Sequence, residues 1–318
     1  FDSPSGGTDT NAQINDNNFT VSLSETTDGG MTISSSFMLV NESANGGGNG
    51  DGDAGFSLAF TDGSSLDVIN AGNASGSHDI SVPSSAGAEG VTVTTSNKAP
   101  TGLDFATAAT VFGVEYHTAE DFLADGLTMS FSLSTDNGAA AGSTYKVDGH
   151  VAVGGTYVSD VGDTAITIGA GFSSSEGSIT STNPSSDENG MHIGLSAVNG
   201  DLTVAVGFAD GDSMEAQATA GTLNTEVDGE VMQAGLSYVM DKFTLDVGVT
   251  SGEGQDSQVL GAAGTTEDSQ DITSASVSYA VADGVTAILG YTDVDSMNEG
   301  VNDNTDGSAW YIGANMSF

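Results

Sequence analysis

The sequence predicts an all-β protein, a transmembrane antiparallel β-barrel of sixteen strands, of which fifteen are visible in this chain. Three observations support this fold class. Apolar residues alternate with polar or small ones over many short segments, tight turns alternate with long polar loops, and charged residues fall on the face opposite the apolar rows. Alternation with a period of two indicates strands that have one apolar face.

The alternating apolar residues define fifteen strand candidates along the chain. In the first candidate, the apolar residues Phe19, Val21 and Leu23 occupy every second position, and each later candidate repeats this pattern. The candidates cover residues 19–23, 31–39, 54–60, 66–68, 112–116, 127–133, 145–157, 166–172, 191–195, 202–208, 232–240, 243–249, 275–281, 285–291 and 310–318.

The connections between these candidates alternate in length. Short turns fall near residues 28–30, 61–63, 119–125, 159–163, 199–200, 241–242 and 282–284. Long polar loops fall near residues 41–53, 73–109, 136–144, 174–189, 210–230, 251–270 and 293–308. Because transmembrane barrels have short turns at one end and long loops at the other, we interpret residues 1–318 as a single barrel domain.

Aromatic residues of the apolar rows are predicted to gather at the two ends of the strands, where a membrane meets water. Phe131 sits in mid-strand and does not fit this pattern. At the end with long loops we expect Tyr145, Phe172, Phe208, Tyr291 and Trp310, and at the end with short turns Tyr157, Tyr238, Phe243, Tyr279 and Phe318.

The opposite face of the strands is polar and charged. A buried core could not hold several unpaired carboxylates, whereas a water-filled lumen can. A sheet with one solvated face, such as an extracellular sandwich, is the alternative explanation. The predicted lumen wall contains Asp67, Glu115, His117, Lys146, Asp148, His150, His192 and Asp246.

The charge balance excludes several functions. The chain has 44 acidic residues against three Lys and no Arg, which gives a formal net charge of −41. Nucleic acid and anionic membrane surfaces are excluded as electrostatic partners, because binding phosphates requires Lys or Arg. The chain has no Cys, which excludes disulfides, thiolate metal sites and cysteine catalysis.

Three segments resemble the general diffusion porins of Gram-negative outer membranes, the sixteen-stranded trimeric type, and especially their alphaproteobacterial branch. Residues 24–37, SETTDGGMTISSSF, resemble the strand–turn–strand near the start of such porins. Residues 310–318, WYIGANMSF, resemble their final strand, whose terminal aromatic residue, here Phe318, is read by the barrel-assembly machinery. Loop 73–109 is the longest loop and has the place of the porin loop that folds into the lumen and narrows it.

The resemblance implies an outer-membrane channel for passive diffusion of small hydrophilic solutes and ions. It also implies a homotrimer surrounded by membrane lipid and lipopolysaccharide. The pore-constricting loop 73–109 carries Asp79, Glu89 and Asp104 against the single cation Lys98. The arginine cluster that faces this loop in familiar porins does not carry over, because the chain has no Arg. A lumen of largely one sign is expected to prefer cations.

One departure from the family pattern concerns the strand count. Barrels formed by one bacterial chain have an even number of strands, yet fifteen candidates are present. The strand at residues 18–27 runs into a short turn, so an earlier strand should precede it. We therefore expect that the chain as given lacks most or all of its first strand.

Two other functions fit parts of the sequence. One is an outer-membrane channel that selects a particular cationic or neutral substrate, and the other is a secreted calcium-binding β-rich surface or adhesion protein. No cofactor is required, but calcium or another divalent cation could bind acidic loops at Asp51, Asp53, Asp293 and Asp295. The spacing of these residues does not match an EF-hand loop.

The sequence predicts no enzyme activity. His78, His117, His150 and His192 do not form metal-binding pairs such as H-E-x-x-H. The glycine-rich stretches lack the following helix or Lys of a phosphate-binding loop.

Overall fold

The computed structural model describes residues 18–40, 55–68, 73–84, 99–101, 103, 113–134, 145–179, 185–215, 225–256, 266–298 and 304–316. These ranges contain fifteen β-strands and one 3-10 turn, Gly76–His78. No helix within them is long and apolar enough to cross a membrane. The strands are β1 (Asn18–Thr26), β2 (Thr32–Val40), β3 (Phe56–Ala59), β4 (Ser65–Val68), β5 (Gly113–His117), β6 (Leu127–Ser134), β7 (Tyr145–Val161), β8 (Thr164–Ile179), β9 (Ser185–Asn199), β10 (Leu202–Glu215), β11 (Thr225–Met240), β12 (Phe243–Asp256), β13 (Thr266–Ala282), β14 (Val285–Asn298) and β15 (Thr305–Met316).

All fifteen strands belong to one antiparallel sheet in which each strand pairs with its neighbours in sequence. This order confirms the predicted up-and-down topology and the fifteen strand candidates. β1 and β15 are the two ends of the sheet, and no pairing joins them among the described residues. The sixteenth strand stays a prediction.

The two faces of the sheet differ in polarity, with the apolar side chains outward as expected of a membrane barrel. In β10, Val204 and Val206 point outward and are 39% and 47% exposed, whereas the intervening Ala205 is buried at 1%. Large apolar side chains are exposed in the same way along most other strands, among them Phe172, Ile193 and Leu289. An outward apolar face is stable where lipid rather than water surrounds it.

Several strands are longer than their apolar rows, which corrects the predicted loop bounds. β8 continues to Ile179 and β10 to Glu215, although loops were expected from residues 174 and 210. β14 continues to Asn298, so Asp293 and Asp295 lie in a strand and not in the loop in which we expected them. Apolar alternation marks only the part of a strand that faces lipid, while backbone pairing continues beyond it with polar side chains on both faces.

The short turns lie where the sequence predicted them. The turn between β5 and β6 contains Gly126 at φ 80°, and the turn between β11 and β12 contains Asp241 at φ 53°. Asp and Gly are the residues that adopt this left-handed conformation most readily. A side chain at Gly126 would also strike the carbonyl oxygen of Val158, whose N–H donates to the Gly126 carbonyl at 2.9 Å.

Asp62 closes the turn between β3 and β4, and its hydrogen bonds lead to a prediction about pH. Asp62 Oδ1 accepts from the N–H of Ser64 at 3.0 Å and from its hydroxyl at 2.7 Å. These bonds lower the pKa of Asp62 below its usual 3.8. The stabilisation they give is therefore complete above pH 3.8 and lost as the pH falls through the lowered pKa. An NMR titration of the detergent-solubilised protein measures this pKa, Ser64→Ala should move it back upward, and a wild-type value of 3.8 or higher would contradict the prediction.

A bulge in β7 interrupts the alternation on which three placements were based. The register with β8 shifts between Val147 and Gly149. The alternation of inward and outward side chains that holds from His150 onward therefore cannot be extended through the bulge to Tyr145, Lys146 and Asp148. The side chains of these three residues lie outside the described part of the structure.

Candidate functional site

Part of the long loop lies against the inner face of the sheet. We call residues 73–84, 99–101 and 103 the lumen segment. It contacts strands from β7 to β12 on the face opposite the exposed apolar rows. Ile80 lies over Gly169 and Gly194, Pro83 lies over Gly235 and Gly248, and Leu103 lies over Gly207.

Glycine makes this close approach possible. A Cβ atom added to Gly248 would lie 2.7 Å from the carbonyl oxygen of Pro83, and one on Gly235 would strike the same atom. A Cβ atom on Gly252 would strike the carbonyl oxygen of Pro100. Cβ atoms essentially never come so close to backbone oxygens. The inner face therefore carries a glycine track for the lumen segment, formed by Gly154, Gly169, Gly171, Gly194, Gly207, Gly229, Gly235, Gly248 and Gly252.

A small apolar cluster fixes the segment in the middle of the track. Leu103 packs against Ala209 of β10 and Val231 of β11, and Val82 packs at its edge. Leu103 is 6% exposed, and Ala209 and Val231 are completely buried. Burial of a side chain of this size stabilises the contact by about 1.5–3 kcal/mol.

Hydrogen bonds fix both parts of the segment to the wall. The N–H of Ala74 donates to the hydroxyl of Ser132 at 3.1 Å, and the hydroxyl of Ser77 donates to Glu115 Oε1 at 2.6 Å. Gln233 of β11 donates to the carbonyl of Thr101 at 2.9 Å. The lumen segment is thus attached to the sheet on strands as far apart as β5 and β11.

A chain of hydrogen bonds joins the segment to the carboxylates of the wall. His117 Nε2 lies 3.0 Å from Asp67 Oδ2 and donates to it, so in neutral His117 the Nδ1 atom accepts from the Ser130 hydroxyl at 2.7 Å. Ser130 is then left to accept from His78 Nε2 at 2.8 Å. His78 Nδ1 completes the chain by accepting from the Thr156 hydroxyl at 2.7 Å.

His78 is neutral in this chain. Burial, reinforced by the nearby His117 and His192, lowers its pKa to about 4. At neutral pH one ring nitrogen of His78 therefore donates a hydrogen bond and the other accepts one, as the neighbouring hydroxyl groups require. Its role is to fix the 3-10 turn to β6 and β7 rather than to carry charge.

Asp79 is the one predicted constriction residue that the structure describes. Its Oδ1 atom lies 2.9 Å from His192 Nδ1 on β9, as a close ion pair rather than an aligned hydrogen bond. His192 Nε2 donates to the carbonyl of Ser75 at 2.8 Å. Glu89, Lys98 and Asp104 lie outside the described residues.

The predicted wall residues with described side chains occupy four places on the sheet, one of which is the position of His192 on β9. Asp67 and Glu115 are directly opposite each other on β4 and β5. His150 on β7 is 2% exposed, and neither of its ring nitrogens has a hydrogen-bond partner among the described residues. Asp246 pairs with Ser237 and Ser276 at its position on β12.

The wall that the lumen segment leaves uncovered is lined by hydroxyl groups. An open cavity of about 490 Å³ borders β1–β4. In the register of the sheet, Ser24, Ser34 and Ser57 follow one another across three strands and lead to Asp67. This cavity is lined by Ser22, Leu23, Ser24, Ser34, Ser35, Ser36, Gly55, Phe56, Ser57 and Asp67.

Aromatic side chains form two cross-strand pairs on the outward face. Phe243 pairs with Tyr279 beside the turn that follows β11, with ring centroids 4.7 Å apart. Tyr291 pairs with Trp310 near the middle of β14 and β15, at 4.6 Å, because both strands continue beyond their apolar rows. Tyr157, Phe172 and Tyr238 are also exposed, Phe208 is half-buried, and mid-strand Phe131 points outward at 44% exposure.

Sequence reasoning missed the glycine track and the hydroxyl partners Ser77, Ser130 and Thr156. The track does leave a signal, because glycines recur at inward positions from β7 to β12 and not from β1 to β6. The hydroxyl partners leave none, because each meets its histidine or carboxylate across many residues of sequence.

The carboxylates considered for divalent cations are only partly within the described ranges. There, no group of three or more His, Asp or Glu side chains is placed to hold a metal ion. Asp51 and Asp53 lie outside those ranges.

The fold is shared with solved porins of low sequence identity. The chain is similar to Salmonella typhi OmpF in complex with daunomycin, with TM-score 0.61 and 14% identity over 97% of this chain and 93% of that one. It is similar to the trimer form of Vibrio cholerae OmpT, with TM-score 0.58 and 12% identity over 94% and 91%. It is also similar to an anion-selective porin of Comamonas acidovorans, with TM-score 0.59 and 10% identity over 94% and 87%.

No curated protein matches the chain. The family model described as Gram-negative porin matches residues 2–299, which is most of the chain. This match decides against a secreted calcium-binding surface or adhesion protein. The chain belongs to the Gram-negative porin family, whose members are non-enzymatic diffusion channels of the outer membrane.

Proposed function

We propose that this porin forms a water-filled channel that passes small hydrophilic solutes and prefers cations. One observation carries the cation preference. The carboxylate of Asp67, 36% exposed, lies on the wall that the lumen segment leaves uncovered, with Glu115 directly opposite it on β5, in a chain that has no Arg.

The fixed charge near these residues is negative on balance. Within the described ranges, His117 is the one cationic candidate in direct contact with these carboxylates, 3.0 Å from Asp67 and 3.6 Å from Glu115. Lys242 lies far from them, in the exposed turn between β11 and β12. Fixed negative charge raises the local concentration of cations and lowers that of anions.

The narrowest part of the channel is proposed to be the lumen segment and the rest of loop 73–109. Its supporting observation is the contact with six successive strands, β7–β12, on one side of the lumen. Solutes would then pass between the segment and the hydroxyl-lined wall of β1–β4.

The proposed assembly is a homotrimer embedded in outer-membrane lipid and lipopolysaccharide. The similarity to the trimer form of OmpT supports it. The outward aromatic pairs would lie at the membrane interfaces, and Phe318 would be read by the barrel-assembly machinery. Binding of divalent cations at Asp293 and Asp295 stays a prediction.

Planar-bilayer recordings test the function directly. The purified protein should insert as discrete conductance steps, and under a potassium chloride gradient the reversal potential should have the sign of potassium permeation. The physical reason is the excess of carboxylates along the uncovered wall.

Detergent without protein serves as the control for these recordings. A reversal potential with the sign of chloride permeation would contradict the cation preference and leave the channel intact. Protein that inserts into the bilayer without any conductance would contradict the channel itself.

A further inference from the structure

His192 and Asp79 form an ion pair between the channel wall and the lumen segment. We propose that His192 is a specificity-determining residue, because as an imidazolium it neutralises Asp79 and removes this carboxylate from the charge of the passage. The inference rests on the channel function proposed above. It assigns the cation preference to Asp67 and Glu115 rather than to all acidic side chains of the lumen.

The surroundings of the two ring nitrogens indicate that His192 is protonated. Nε2 lies 2.8 Å from the carbonyl oxygen of Ser75, which can only accept, so this nitrogen carries a hydrogen. Nδ1 lies 2.9 Å from Asp79 Oδ1. A nitrogen lone pair at this distance from a carboxylate oxygen would be repelled, so Nδ1 carries a hydrogen too.

The pair is held in a confined place. The His192 side chain is 1% exposed and that of Asp79 is 24% exposed. A Cβ atom on the neighbouring Gly171 would lie 2.8 Å from Ser75 Cα, which shows how closely the segment covers this position. A buried charge without a partner is costly, so the imidazolium of His192 depends on Asp79, whereas the partly exposed carboxylate of Asp79 keeps contact with water.

Few other titratable groups face His192. The lumen segment presents Asp79 and His78, and His78 is neutral as described above. The adjacent strands present Gly171 on β8 and Ala209 on β10 at the directly opposite positions. Asp79 is therefore the only charged side chain that faces His192 among the residues the structure describes.

The channel should therefore become more negatively charged when His192 is lost. Without the imidazolium, Asp79 remains as an uncompensated anion beside the passage. The channel then has one more negative charge, and its preference for cations should increase. The same change should occur in the wild type when His192 loses its proton.

Reversal potentials in one fixed salt gradient test this with His192→Gln, Asp79→Asn and the double variant. His192→Gln should shift the reversal potential toward the cation limit. Asp79→Asn alone should not raise the cation preference, and the double variant should return close to the wild type, because the two charges cancel. Asp283→Asn, in the exposed turn after β13, is the control for net charge alone and should change nothing.

A pH series adds a measurement that would stay unchanged if the role of His192 were purely structural. The wild type should gain cation preference as the pH rises through the titration of His192, and His192→Gln should lack that part of the gain. His117 and Asp67 are the same in both proteins, so the comparison removes any contribution from this pair.

Two results would overturn the proposal. One is a His192→Gln channel that conducts normally and has the wild-type reversal potential and pH series. The other, decisive if His192→Gln does not assemble, is an Asp79→Asn channel that loses as much cation preference as Asp67→Asn. A wild-type channel without cation preference would instead refute the proposed function, so the two failures are distinguishable.

Discussion

Replacing Gly235 with valine should lower the single-channel conductance and destabilise the barrel, because the new side chain would occupy the position of the Pro83 backbone. A Cβ atom there would strike the carbonyl oxygen of Pro83 and lie 2.8 Å from its carbonyl carbon. Backbone atoms cannot rotate away, so the lumen segment must move off the wall and into the passage. Overpacking of this kind typically costs about 1–3 kcal/mol. The measurements are conductance in planar bilayers and the unfolding temperature in detergent.

The matched control is Gly313→Val on β15. Gly313 occupies the inner face as Gly235 does, two residues from the inward Tyr311, but no atom lies within 4 Å of its added Cβ. Valine is favoured over glycine in strands, so this variant should be neutral or slightly stabilising. The prediction fails if Gly235→Val keeps the wild-type conductance, or if Gly313→Val loses as much.

Replacing Asp67 with asparagine should reduce the cation preference more than any other single substitution on the described wall. The Asp67 side chain is 36% exposed and faces the hydroxyl-lined cavity. In water a unit charge attracts a monovalent cation 4 Å away by about 1 kcal/mol, so its loss should change the cation-to-anion permeability ratio several-fold. The asparagine oxygen can still accept from His117, which preserves the local structure.

The measurement is the reversal potential under a salt gradient, with Asp163→Asn in the exposed turn between β7 and β8 as the control. Glu115→Gln is expected to have a smaller effect, because Glu115 is 2% exposed and already accepts from Ser77 at 2.6 Å. An Asp67→Asn channel with unchanged selectivity would show that the preference arises elsewhere.

The strands and their faces could be predicted from the sequence because they follow from a local period. Val204 and Val206 indicate an outward face without knowledge of any neighbour, and the turn glycines mark where each strand ends. The ends of the strands opposite the short turns could not be predicted. Asp293 and Asp295 have no apolar alternation around them, yet β14 continues through both by pairing with β13 and β15.

The arrangement of the lumen could be predicted only in part. The alternation of side chains assigned His192 and Asp67 to the polar face. It gave no indication that His192 would meet Asp79 or that His78 would share Ser130 with His117. These contacts depend on the path of the lumen segment. That path in turn depends on which strands lack side chains on their inner face.

The glycine track also constrains the order of folding. The contacts of the lumen segment span 58 residues of sequence at Ser132, 117 at His192 and 132 at Gln233. Contacts between residues so distant in sequence form late, because each must first pay the entropy of closing a long loop. The surface that receives the segment exists only once β7–β12 have paired. The lumen should therefore acquire its narrow passage at the end of assembly, after the barrel wall is in place.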